Sequence, residues 1–428
     1  MVTMASAFPG QGQHSRYFKR LFHNGKLQLW LGGMLTVLLP SLAAWGGAFW
    51  QTADATQWLT LLLIALAYWS AMTTVQRMGR LPGTCAYLLS LPAATVCYLV
   101  PYLVVQGTEN ALHLRLYVAS YLLTALYCTA GYWFGRRYRV LKLAVVPFGK
   151  APGLCHNHGV EWLSLRAPTL GQAYVDAVVA DLCTELPPEW ERFLADCTLE
   201  RIPVYHVSST YEWLTGRVQI GYLHENRYGS LQPDEGYQVI KRGLDLLIVL
   251  ALLPVALPLM AIIATAIRLD SRGAALFAQQ RMGFQCRPFT VYKFRSMFCD
   301  RQGAGFTRHG HDPRITRVGR VIRKYRLDEL PQLFNVLKGE MSLIGPRPEC
   351  MDLADWYQKD VAFFHYRHVV RPGISGWAQV EQGYAAEVEG MVRKLEYDFY
   401  YIKNISFWLD LLIVLRTIRT VLTGFGSR

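Results

Sequence analysis

The 428-residue sequence predicts a mainly helical membrane protein. It comprises a four-helix transmembrane bundle, a small α/β domain, and a mainly helical C-terminal domain with a re-entrant membrane helix and interfacial amphipathic helices. Three observations predict it. Hydrophobic residues make up 52% of the chain, too many for an ordinary soluble protein and enough for the membrane class. Four apolar stretches crowd the N-terminal part, each near the roughly 20 residues that a helix needs to cross a bilayer core. A fifth stretch, at 241–270, carries two internal prolines and basic residues at both ends.

Residues 1–26 form a polar, basic tail with no apolar core or small-residue cleavage pattern, so a retained, cytoplasmic N-terminus is expected. The four stretches, within 27–135, are Leu27 to Trp50, Trp58 to Val75, Thr84 to Val105 and Leu112 to Phe134. Arg16, Lys19, Arg20 and Lys26, then Arg77 and Arg80, then Arg136, Arg137 and Arg139 fall on one side, and the neutral or acidic loops QTADATQ and QGTEN on the other. The positive-inside bias therefore puts both ends of the bundle in the cytoplasm. Trp50, Trp58 and Tyr102 suit interfacial anchoring. No Asp or Glu lies deep within these stretches and Arg115 can snorkel from an end, which argues against an ion or proton pathway.

Residues 140–228 turn soluble. Strand-like LKLAVVPF, DAVVADL and IPVYHV alternate with the helical spacing of PPEWERFLADC, which predicts a small α/β domain with a parallel sheet. VPFGKAPG lacks the GxGxxG spacing, so dinucleotide binding is not expected. Nine cysteines are scattered without a CxxC pair, the pattern of thiols in a reduced compartment. Cys155, His156 and His158 are the densest group of soft ligands, and a polar loop explains them equally well. GYLHENRYGSLQPDEGYQ reads as a linker.

A domain at 237–428 follows. Its first helix is long enough to span, but spanning would carry the Arg and Lys of 308–326 outside, against the positive-inside tendency. Pro254 and Pro258 each remove a backbone donor, so a re-entrant helix broken near Pro258 is expected. SFWLDLLIVLRTIRTVL, from Ser406 to Leu422, mixes an apolar face with Asp410, Arg416 and Arg419, which suits the interface plane.

In LDELPQLFNVLKG, the spacing of Leu330, Leu333, Phe334 and Leu337 predicts an amphipathic helix with Asp328 and Glu329 at its positive end and its apolar face in the membrane interface. Cations surround the pair in sequence: Lys293 and Arg295 in YKFRSM, Arg314, Arg317, Arg320 and Arg323 in HDPRITRVGRVIRKYR, Arg347 in GPRPE and Arg371 in RPG. Arginine grips phosphate oxygens in two-pronged fashion, and the net charge of +13 fits a diphosphate substrate and anionic lipid; nucleic acid is not expected. Arg347 stands between prolines that stiffen its loop.

KRGLDLL with Pro258 downstream, YKFRSM, DPRITRVGRVIRK, LDELPQLFNVLKGEMSLIGPRPE and RPGISGWAQV resemble, in order, the motifs of the bacterial sugar transferase family, the monotopic polyprenyl-phosphate phosphoglycosyl transferases, over Tyr237 to Gly424. The whole chain looks like the long members, such as undecaprenyl-phosphate glucose or galactose phosphotransferases, that begin exopolysaccharide, capsule or O-antigen units. The resemblance implies transfer of a sugar 1-phosphate from a UDP-sugar to undecaprenyl phosphate, with release of UMP and a need for Mg2+. It implies that Asp328 attacks the phosphorus attached to the sugar, that Glu329 helps to hold metal and phosphates, and that Arg347 grips phosphate. Lys293 and Arg295 would line the nucleotide side, with Arg314 and Arg371 as further substrate contacts. A multi-pass place in the bacterial inner membrane, with the catalytic domain on the cytoplasmic face among membrane lipids, and a homodimer are further expectations. The chain departs from the family where Leu257, rather than Ser, precedes Pro258, and where FCDRQGAG offers only Asp300 in place of an acidic cluster. The alternatives are a catalytically silent membrane scaffold and a ligand-sensing regulator of polysaccharide assembly; the first ignores Asp328, Glu329 and Arg347, the second the whole C-terminal half.

Overall fold

The computed structural model describes residues 25–79, 81–82, 86–106, 113–137, 141–156, 160–171, 173–220, 232–298, 312, 314–382 and 388–423. They belong to two compact units, Met1–Thr215 and Gly216–Arg428. Residues 1–24 of the tail with Arg16, Lys19 and Arg20, as well as Arg80, Arg139, His158, 221–231 of the linker and 299–311 with Asp300, lie outside the described residues.

In the first unit, helix forms at each of the four apolar stretches: α1 (Gly25–Trp45), α2 (Ala55–Met78), α3 (Ala86–Gln106) and α4 (Leu114–Arg137). At the start of α2, the Asp54 N–H donates to the Gln57 side chain at 3.0 Å, half of a capping box that satisfies otherwise orphaned backbone donors. Val37, Ile64, Tyr68, Tyr98, Leu116 and Tyr117 pack into one core drawn from all four helices. Polar stitches register them: Tyr68 and Tyr127 donate to the carbonyls of Leu29 and Gln28, each at 2.8 Å. Gly32 makes this possible, since a Cβ there would collide with the Tyr68 hydroxyl. Among the described residues, three helices are long and apolar enough to cross a membrane: α1, α2 and Glu235–Asp270 in the second unit; Ser90–Gln106 is a shorter apolar run.

The same unit holds a four-stranded, all-parallel sheet of order β2-β1-β3-β4: β1 (Leu141–Val145), β2 (Val160–Ser164), β3 (Ala177–Ala180) and β4 (Val204–His206). AVVA at β3 is buried at every position, as a strand between two neighbours requires. Helix α5 (Pro188–Leu199) buries Trp190, Phe193, Leu194 and Cys197 at helical spacing, and α6 (Val207–Thr215) follows β4. The α/β expectation holds. Strand β2, VEWLS, is an edge strand with no buried position, which is why its sequence carries so little apolar signal.

The second unit begins ahead of the expected position 237, because Trp377 Nε1 donates to the Gly216 carbonyl at 2.9 Å and Val218 N–H to the Glu396 carbonyl at 3.0 Å. Its longest element, α7 (Glu235–Asp270), is capped by the Asp234 side chain, which accepts the Tyr237 N–H. The helix continues through Pro254 and Pro258, so the expected break near Pro258 is not a break in the helix. Val249, Met260, Ile263 and Ile267 face a core shared with Phe289, Val291, Phe294, Leu333 and Met341, while Leu247, Leu250, Val255 and Ile262 are exposed.

Around that core stand the antiparallel hairpin β5 (Leu276–Met282) and β6 (Pro288–Phe294), α8 (Arg317–Lys324) and α9 (Gln332–Lys338). Next come β7 (Ser342–Ile344), α10 (Met351–Asp360) and β8 (Gly373–Ser375), which pairs in parallel with β7. Helices α11 (Trp377–Glu381), α12 (Val388–Lys403) and α13 (Phe407–Thr423) complete the unit. On α13, Leu409, Leu412 and Ile413 are buried, and Asp410 accepts from Lys241 Nζ at 2.7 Å, Tyr237 Oη at 2.8 Å and Tyr401 Oη at 2.8 Å.

Candidate active site

Asp328 and Glu329 lie in a single 3-10 turn, Leu327–Glu329, one step before the Pro331 cap of α9. The expectation that they sit at the positive end of an amphipathic helix is corrected: α9 is only seven residues long and starts beyond them. Its apolar side turns mainly to the protein core, which takes Leu333 and Val336 and packs Leu330 and Leu337 against it, leaving Phe334 exposed. The turn is entered through Arg326 at φ 53°, a left-handed backbone that costs a non-glycine residue roughly 1 kcal/mol or more.

Charge at the pair comes from side chains. On β6, Lys293 shares a face with Phe289 and Val291, both buried, so the two-residue strand period carries its amine inward. There Lys293 Nζ meets Glu329 Oε1 at 3.0 Å, and Arg347 Nη2 donates to the same oxygen at 2.8 Å. Burial works against the charge on Glu329, but Arg347 and Lys293 overcome it and hold the carboxyl far below its usual range. Glu329 in turn strengthens the Arg347 guanidinium. Asp328 differs. Among the described residues nothing donates a hydrogen bond to it, and its carboxyl is pushed up, first by burial and then by the charge of Glu329, with Lys293, Arg347 and Arg323 pulling the other way.

Arg347 is itself built in. Gly345 N–H donates to the Ser375 carbonyl at 2.8 Å, and Gly373 N–H to the Pro346 carbonyl at 2.9 Å. A Cβ on Gly373 would overlap the Gly345 nitrogen, so the close approach of GPRP to RPG needs glycine. Arg367, almost fully buried, donates to the Arg347 carbonyl at 2.9 Å and pairs with Asp398 at 2.7 Å. Arg281 donates to the Pro348 carbonyl at 2.5 Å, and Lys394 pairs with Glu349. Asn335, fully buried, ties α9 to β6 by accepting the Tyr292 N–H at 3.2 Å and donating to the Thr290 carbonyl at 2.7 Å.

Asp328, Glu329, Arg347 and Lys293 are thus brought together. Of the other named arginines, Arg323 bears on the pair through its charge on Asp328, while Arg295, Arg314 and Arg371 are bound elsewhere. Arg295 is buried and donates to the carbonyls of Arg272 at 2.5 Å and Ser271 at 2.7 Å, closing the end of α7. Arg314 grips Asp312 through Nε and Nη2 at 3.0 and 2.7 Å, which holds that carboxyl at about 2. Arg371 donates to the Gly339 carbonyl at 3.1 Å and stacks over Phe284, next to Arg242, which caps α9 through the carbonyls of Val336 and Leu337. Sequence reasoning missed Arg281, Asn335, Arg367 and Lys394. A Lys or Arg of an amphipathic segment looks the same in sequence whether it faces water or a buried carboxylate.

Residues 236–424 match the model for the family described as bacterial sugar transferase. Over 423 residues the chain is 48% identical to UDP-N-acetylgalactosamine-undecaprenyl-phosphate N-acetylgalactosaminephosphotransferase of Aeromonas hydrophila, covering 98% of this chain and 99% of that relative. It is 41% identical over 200 residues to UDP-glucose:undecaprenyl-phosphate glucose-1-phosphate transferase of Caulobacter vibrioides, covering 46% of this chain and 75% of the relative. The enzyme of the same description in Escherichia coli is 38% identical over 194 residues, 45% of this chain and 41% of that one.

Proposed function

Since the chain belongs to the bacterial sugar transferase family and is a phosphoglycosyl transferase, we propose that it moves a sugar 1-phosphate from a UDP-sugar to undecaprenyl phosphate and releases UMP. The observation that carries the mechanism is the unequal treatment of two adjacent carboxylates: Glu329 is clamped by Lys293 and Arg347, while Asp328 accepts no hydrogen bond among the described residues. A clamped carboxylate organises cations. An unclamped one keeps its lone pairs for attack.

In the first step an Asp328 oxygen forms a bond to the phosphorus attached to the sugar, and the bridging P–O bond breaks to give UMP. In the second, an oxygen of undecaprenyl phosphate attacks that phosphorus and the Asp328 carboxylate leaves, giving the lipid diphosphate sugar. An anion must approach an anion in both steps, so local positive charge is required. Lys293, Arg347 and Arg326 supply it, and the rigid GPRP loop keeps Arg347 in place without reorganisation. Adjacent carboxylates are the hard oxygen donors that Mg2+ prefers, and the Glu329 charge, which after burial is what pushes Asp328 up, is one that a cation would offset, so Asp328 and Glu329 fit as its holders. Bound there, Mg2+ would neutralise diphosphate oxygens.

UDP-N-acetylgalactosamine is the first donor to test, because the relative aligned over nearly its whole length is named for it. The lipid acceptor fits a unit held on one membrane face. Both ends of α7 are fastened to the same body: Lys241 to Asp410 and Asp245 to Ser342 at one end, Asp270 to the Val318 N–H and Ile267 into the core at the other. A spanning helix would separate those ends by a bilayer, so these fastenings support a re-entrant α7 that bends at its prolines without breaking and whose exposed leucines lie in lipid. The basic flanks favour the cytoplasmic face of the inner membrane.

The test uses donor labelled in the sugar, without lipid acceptor. Wild type should retain label on the peptide carrying Asp328 and release UMP, whereas Asp328→Asn should lose both, by roughly 1,000-fold or more in rate. UMP release with no trapped label on that peptide would overturn the covalent step.

A further inference from the structure

The carboxyl ends of β3 and β4 gather Asp181, Cys183 and His206, three metal-ligating types that lie far from the proposed active site in sequence and in the other unit. His206 Nε2 is 3.3 Å from Cys183 Sγ and 3.5 Å from Asp181 Oδ1, and one ligand atom from each residue lies within 4.8 Å of the others. Zinc bonds of ordinary length arranged tetrahedrally set their ligand atoms about 3.3–3.6 Å apart, so the side chains already stand near the edges of that figure.

The group is held from outside. Asp181 is buried, and its Oδ2 accepts the Lys150 N–H at 3.0 Å while Oδ1 accepts the Cys183 N–H at 3.2 Å. Gly149, at φ 61°, allows the β1 loop to press on this carboxylate, where a Cβ would collide with it. This is also the crevice beside the strand-order reversal between β1 and β3, where parallel sheets often take a nucleotide phosphate. Here the carboxylate occupies the backbone donor that a phosphate would use, which turns the crevice from anions to cations. His206 Nδ1 accepts the Ser208 N–H at 3.0 Å and sits 2.8 Å from Ser208 Oγ, which leaves the ring proton of the neutral imidazole on Nε2. When Nε2 is given to a metal that proton moves to Nδ1, which exchanges the Ser208 N–H bond for one donated to the Ser208 hydroxyl, the outer partner that metal-bound histidines use. Cys183 is exposed, which leaves an entry path.

We propose that Asp181, Cys183 and His206 form a binding site for a soft divalent cation of the zinc class. Three protein ligands leave one coordination position facing solvent. Binding releases the Cys183 thiol proton and shifts the His206 ring proton from Nε2 to Nδ1, so affinity rises with pH. The mixed sulfur, nitrogen and oxygen set selects against Mg2+, which keeps this site separate from the carboxylate pair at Asp328.

The test uses the tag-free full chain in detergent with Mg2+ present, and Zn2+ and Co2+ as probes. Zn2+ should slow alkylation of Cys183 by iodoacetamide at least about tenfold, read on its peptide by mass spectrometry, and leave Cys155 unaffected. Co2+ should give a thiolate charge-transfer band in wild type and in Cys155→Ser, lost in Cys183→Ser and weakened at least about tenfold in His206→Gln. Unchanged alkylation of Cys183 in wild type, a measurement that needs no variant to fold, would overturn the site, as would a band that survives Cys183→Ser.

Discussion

Asp328 and Glu329 are neighbours in the chain, yet their surroundings set their carboxyls moving in opposite directions. Glu329 stays charged under Arg347 and Lys293, and Asp328 is raised by burial and by that charge. In the proposed mechanism Asp328 attacks as the anion, so UMP release should fall as pH drops through a value above the ordinary Asp value of about 3.9. Lys293 pulls Asp328 downward; Lys293→Met should therefore move this acid limb to still higher pH, measured as kcat against pH. A limb that stays where it was would mean that another group controls it. The acidic pair and Arg347 were legible in LDELP and GPRPE because they stand in short motifs. Lys293 was legible as a cation near the site, while its direct hold on Glu329 depends on which face of β6 turns inward.

At the scale of elements, α7 is fastened by several charged side chains at each end. Arg295, expected beside the nucleotide, instead closes the carboxyl end of α7 by donating to the carbonyls of Arg272 and Ser271. Arg295→Ala should thus lower stability by about 3 kcal/mol in denaturant melts, the scale of losing charged hydrogen bonds in a buried place, with KM for the UDP-sugar unchanged. A raised KM at unchanged stability would return Arg295 to the substrate. The re-entrant reading makes a second prediction. In an otherwise cysteine-free chain, Val239→Cys and Leu269→Cys, both at exposed positions near the two ends of α7, should resist a membrane-impermeant maleimide added to intact cells. Labelling of Leu269→Cys alone would establish a spanning helix. The prolines predicted a sharp break from local sterics, but a helix can carry proline when the rest of its turns stay bonded and its flank is packed, as Val249, Met260 and Ile263 are here.

For the second unit as a whole, a buried network of Glu349, Lys394, Arg367 and Asp398 lies behind the GPRP loop and links it to α12. Burial opposes the charge of Glu349, but Lys394 and Arg367 hold its carboxyl at about 2. Its value in an unfolded chain is about 4.3, so its contribution is complete above that pH and is lost as pH falls toward about 2. The contribution is about 3 kcal/mol by this linkage. Glu349→Gln should lower stability at neutral pH and flatten the acid dependence between those two values, followed by chemical denaturation at a series of pH values. An unchanged acid slope would mean that other carboxylates dominate it.

The membrane class, the α/β character of the middle segment and the motifs of the bacterial sugar transferase family were written in the sequence, because apolar run length, strand and helix periodicity and short-range spacing are local properties. The folded structure alone decided which cations touch Glu329, that Arg295, Arg314 and Arg371 serve carbonyls and Asp312 elsewhere, and that Asp181, Cys183 and His206 meet. A side chain's partner depends on which face of its element turns inward and on what distant segment packs there, and no stretch of neighbouring residues contains that information.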